Sequence, residues 1–116
     1  MTRNQRLEDL WERFLKKGLG GLTDYELLYM MDEVEHRESA FQELLKRVTN
    51  SYNLRYIIRF FESHKERAWQ ELVRLGPTSY DLGYIISFTE SLKSKASRLL
   101  KQIEILKEGR RAKAIS

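Results

Sequence analysis

Histidines, clustered carboxylates and a glycine-rich loop are the groups in this sequence whose spacing could do chemistry. His36 and His64 are the only histidines. On neighbouring packed helices they would lie about 10 Å apart, too far to share a metal ion. There are zero cysteines and no close carboxylate–histidine cluster, so no metal site is completed. Each histidine reads as an exposed residue opening a helix. Asp32, Glu33, Glu35 and Glu38 form an acidic patch that general acid–base catalysis could use, but such work needs a pocket that shifts one pKa. A solvated turn fits them better. Gly18-Leu-Gly-Gly21 precedes a helix, as a phosphate cradle would. It lacks the preceding strand and following lysine of a P-loop and reads as a helix stop. No nucleophile elbow or Ser/His/Asp arrangement rises above chance. The expectation is a chain that is not an enzyme and uses no metal or cofactor.

Tyrosine carries the organised signal. Tyr25-Glu-Leu-Leu-Tyr29, Tyr52-Asn-Leu-Arg-Tyr56 and Tyr80-Asp-Leu-Gly-Tyr84 use all 6 tyrosines, and their starts lie 27 and 28 residues apart. Each pair runs on into two apolar residues: Met30-Met31, Ile57-Ile58 and Ile85-Ile86. On a helix the leucine and the isoleucine pair fall on one side, with the tyrosines, Phe60 and Phe88 on the other. Two roles follow for the tyrosine side. Tyr25, Tyr52 and Tyr80 wedge between neighbouring units, which the pattern favours, or the six form an exposed ladder. In the second case Tyr25, Tyr29, Tyr52, Tyr56, Tyr80 and Tyr84 are the candidate partner-binding residues, with Arg55 and Arg59 as neighbouring anchors. Tyrosine suits recognition because it offers a large rigid ring with a polar tip.

The elements that would position these residues are helices throughout. Residues 4–17 carry Leu7, Leu10, Trp11, Phe14 and Leu15 at helical spacing. Thr23-Asp-Tyr-Glu26 is a capping box that opens a helix over 24–34, followed by one over 36–48 with Ala40, Phe41, Leu44, Leu45 and Val48 on its stripe. Asn50-Ser51 caps a helix over 52–62, and a further helix covers 65–75. Gly76-Pro77-Thr78-Ser79 ends that helix and caps the next, over 80–89. The last spans 92–108, and Gly109 onward reads as a frayed basic tail over 109–116.

Aligning the tyrosine copies extends the correspondence. Glu62-Ser63 matches Glu90-Ser91, Ala40, Ala68 and Ala96 align, and Phe41 matches Trp69. The expected architecture is all-α: seven helices in a single domain over 1–108, a half-repeat at 4–21 and three stacked αα-hairpins at about 22–49, 50–77 and 78–108. Such units bury their apolar faces by stacking, as a short right-handed solenoid or a compact bundle. The arrangement resembles the helical-hairpin solenoids of the HEAT and armadillo class, although its period is shorter. Residues 54–63 and 82–91 are also similar to short bacterial repeats of the form Leu-x-Tyr-Ile-Ile-x-Phe-x-Glu-Ser. That resemblance implies a fold and carries no activity.

Composition bounds the rest. The chain has 116 residues, 41% apolar and 33% charged, a globular range. No apolar run is long enough to span a membrane, and the first residues lack the apolar core of a secretory signal. With no cysteine, a cytoplasmic location is expected. The net charge of +4 is uneven. Residues 1–50 carry eight Lys/Arg against ten Asp/Glu, and residues 51–116 carry thirteen against seven. The expected function is a protein-interaction or scaffold module built from helical repeats. The alternative is nucleic-acid binding by the basic C-terminal helix, which would be strongly salt-dependent. Self-association through the atypical ends is left open.

Overall fold

The capping signals take effect in the computed structural model, which describes residues 3–47 and 50–115. Val48, placed by the sequence on an apolar stripe, lies outside them. Seven α-helices follow one another: α1 (Arg3–Lys17), α2 (Asp24–Met30), α3 (Val34–Lys46), α4 (Ser51–Phe60), α5 (Lys65–Leu75), α6 (Ser79–Phe88) and α7 (Lys93–Ile115). Short 3-10 turns at Leu19–Gly21, Glu62–His64 and Glu90–Leu92 link some of them, and no strand occurs among the described residues. Among the described residues the protein is all-α with seven helices. Its contacts group into two units, Met1–Asn53 and Leu54–Ser116, with the boundary inside α4.

In the first unit, Thr23 starts α2 by accepting a hydrogen bond from the Glu26 backbone N–H, while the Glu26 carboxylate accepts from the Thr23 N–H. These bonds satisfy donors that a helix start otherwise leaves open. α2 ends at Met30, short of the expected Val34. Its last turn tightens through Asp32 N–H to Tyr29 and Glu33 N–H to Met30, Glu33 is extended, and Arg37 Nε donates to the Met31 carbonyl at 2.6 Å. α2 packs on α1 and α3, burying Leu10, Leu27, Met30, Met31, Phe41 and Leu44. Trp11 stacks on His36 with centroids 4.3 Å apart and stays 38% exposed.

In the second unit, α6 packs on α7, and Leu82, Ile85, Leu92 and Ala96 are fully buried. Trp69 and Leu72 are buried on α5. Gly76 ends α5 in the left-handed region at φ 88, its N–H reaching the Leu72 and Val73 carbonyls. The links after α4 and α6 have the same form. Phe61 N–H reaches Ile57 and Thr89 N–H reaches Ile85, each at 2.9 Å. Lys65 Nζ donates to Ser91 Oγ at 2.8 Å, so these two links touch. His64 takes the place that Leu92 holds 28 residues later. It is buried rather than exposed as the sequence suggested, with Ser63 Oγ 2.7 Å from its Nδ1.

α7 departs from expectation at its far end. It runs through Gly109 to Ile115, where the sequence places a frayed tail. One interior glycine costs a helix only about 1 kcal/mol, and the arginines, alanines and lysine that follow are good helix formers.

Candidate protein-interaction face on helices 4 and 6

The Thr78 cap sets the geometry of the site. Thr78 Oγ1 accepts from the Asp81 N–H at 3.1 Å, and the Thr78 N–H donates to Asp81 Oδ2 at 2.9 Å. Asp81 is therefore fixed one turn into α6 and is 3% exposed. Its other oxygen, Oδ1, lies 3.0 Å from Arg55 Nε of α4. This is an ion pair rather than an aligned hydrogen bond. The Arg55 guanidinium lies 4.8 Å from the Tyr80 ring centre and 5.0 Å from that of Tyr84, within cation–π range.

One turn along α4, Arg59 repeats the stacking. Its guanidinium is 3.9 Å from the Phe88 ring centre, 4.8 Å from Phe60 and 5.9 Å from Tyr84. Its Nη1 donates to the Tyr84 hydroxyl at 3.2 Å. Tyr56 packs against Phe60 at 4.7 Å, as Tyr84 does against Phe88. The result is one surface on which Tyr80, Tyr84 and Phe88, each four residues apart on α6, alternate with Arg55 and Arg59 of α4. Phe60, Tyr80 and Phe88 stand 53%, 71% and 50% exposed.

Of the residues singled out in the sequence, Arg55, Arg59, Tyr56, Tyr80 and Tyr84 meet on this surface. Tyr25 and Tyr29 lie in the first unit, where with Leu10, Arg6 and Asp9 they line a cleft of about 310 Å³ beside the Arg13–Glu26 ion pair. Burial opposes ionisation of Glu26, but the Thr23 N–H, the Arg13 charge and hydrogen bonds from both residues outweigh it. They hold the carboxyl below its ordinary value. Tyr52 sits in the first turn of α4. Tyr25 and Tyr52 are 69% and 61% exposed. With Tyr80 they contradict the expectation that the first tyrosine of each pair is wedged between units.

Sequence reasoning missed three members of the face. Phe60 and Phe88 carried a signal, four residues after Tyr56 and Tyr84 on the same helical side. Asp81 carried one too, as the fourth residue of a Thr-x-x-acid capping box. Among the described residues, no group of three His, Cys, Asp or Glu side chains could hold a metal ion, and no helix is long and apolar enough to cross a membrane.

No family model, curated protein or solved structure matches the chain.

Proposed function

We propose that this chain is a non-enzymatic interaction module that holds a protein partner on the arginine–aromatic face of α4 and α6. The observation that carries the reading is the half-exposed or more open state of Phe60, Tyr80 and Phe88 around two arginines on one surface. Aromatic rings and arginine are the side chains enriched at protein interfaces, and a few such residues carry most binding energy. The rings are also held in place by the cap at Thr78 and by neighbouring arginines, so little ordering entropy remains to be lost on binding.

The scaffold is read as three copies of one helix–turn–helix unit. In its support, α2, α4 and α6 each start beside a polar cap, namely Thr23, Asn50 and Thr78. Ala40, Ala68 and Ala96 are all fully buried, where small side chains let helices approach. A reducing compartment such as the cytoplasm suits a chain with no cysteine. Nucleic-acid binding has less support. The basic residues of α7 fall on every side of the helix, and Lys95 and Lys107 are tied to Glu66 and Ser79.

The test compares affinity capture by the wild-type chain and by a Phe60→Ser/Phe88→Ser variant whose helical circular dichroism is unchanged. A partner retained by the first and lost by the second is the expected result. Identical captures would remove the face from the reading.

A further inference from the structure

Arg55 and Arg59 lie one turn apart on α4, and both stack on rings of α6, but only one of them has an acid. Arg55 is met by Asp81 at 3.0 Å, with both side chains largely buried. The place on α6 one turn beyond Asp81 is Ile85, which is fully buried and apolar. Arg59 accordingly has no carboxylate partner among the described residues. Its one hydrogen bond goes to the Tyr84 hydroxyl, and its remaining contacts are to the rings of Phe60, Tyr84 and Phe88.

We infer that Arg59 receives a carboxylate from the protein partner: an aspartate or glutamate side chain flanked by apolar residues. The inference rests on the reading of this face as a protein-binding surface. A guanidinium carries five N–H donors in one plane, and Arg59 spends one on Tyr84. Rings against its faces leave the edge of the plane for a ligand, which is how arginine takes a carboxylate through two parallel hydrogen bonds. The centres of the half-exposed rings of Phe60 and Phe88 lie 4.8 and 3.9 Å from the guanidinium. They offer apolar contact to residues beside the acid, and a partner that covers them would withdraw the pair from water and strengthen its charge-assisted hydrogen bonds. Arg55 shows a guanidinium with ring contacts that is also paired with a carboxylate. Arg59 has the ring contacts without the acid.

The test titrates the full chain, labelled with nitrogen-15, with the peptide acetyl-Phe-Glu-Asp-Phe-amide and reads the Arg59 Nε–H signal together with the backbone amides of Phe60 and Phe88, which also report in an Arg59 variant. Acetyl-Phe-Gln-Asn-Phe-amide and sodium phosphate serve as parallel probes. The expected result is a saturable shift with the acidic peptide, weakened about tenfold or more for the amide peptide and for Arg59→Lys, which keeps the charge but loses the fork. Phosphate should give no saturable shift. No shift with the acidic peptide, equal shifts with both peptides, or binding of phosphate as strong as that of the acidic peptide would each overturn the inference. The capture experiment separates the two readings. If Arg59→Gln keeps the partner while Phe60→Ser/Phe88→Ser loses it, the face stands and the carboxylate falls.

Discussion

Asp81 uses its two oxygens for two purposes: one closes the helix cap and the other holds an arginine from another helix. Both charges are mostly out of water, so removing one partner leaves the other stranded, typically a loss of about 3–5 kcal/mol. Asp81→Asn should therefore lower the urea midpoint strongly, while Arg55→Met, which removes a charge but keeps apolar bulk, leaves only Asp81 to be satisfied by its cap and should cost less. An Asp81→Asn variant with an unchanged midpoint would count against a buried ion pair. Glu26 gives the corresponding pH effect in the first unit. Its folded carboxyl titrates below the ordinary 4.5, so the unfolded state takes up a proton first as the pH falls. Its contribution to stability is complete above that value and fades below it as the folded group protonates. The stability difference between wild type and Glu26→Gln should accordingly be largest near neutrality and shrink in acid. A difference that stays constant through the acid range would exclude this role.

At the scale of helices, two glycines of one unit make opposite predictions. Gly76 ends α5 at φ 88, a conformation that costs a residue with a Cβ about 1–2 kcal/mol. Gly83 lies within α6 with open space where a Cβ would point, and alanine there improves helix propensity by about 0.5–1 kcal/mol. Thermal melts should thus fall for Gly76→Ala and rise for Gly83→Ala. Helix starts and stops of this kind were legible in the sequence because they depend on neighbours a few residues away. The Thr23 box, the Asn50 cap and the whole of α5 follow from local pattern. What depends on distant residues was not legible. α2 stops early because Arg37 reaches back to Met31. His64 is buried because its link is shaped like that around Leu92. The tyrosine exposures depend on what lies across from each helix, and periodicity assigns a side without saying what covers it. The Asp81–Arg55 contact, which organises the candidate face, joins residues 26 apart and leaves no mark on either local pattern.

For the whole chain, the most extensive helix packing within each unit joins sequence neighbours, α1 with α2, α2 with α3 and α6 with α7, the side-chain contacts of α4 with α6 being the longer-range exception. Local contacts close short loops, and proteins built from them fold in microseconds to milliseconds. A temperature-jump measurement should find the main refolding phase in that range, and a main phase of seconds would contradict this picture. The chain holds 2 tryptophans, and the fold places one in each unit: Trp11, partly open and stacked on His36, and Trp69, closed into the interior at 7% exposure. Their emission should differ in colour, redder for Trp11 and bluer for Trp69. The molecule therefore arrives with a separate optical reporter for each half. Single Trp→Phe variants can show whether the two halves melt at one temperature or at two, with no label attached.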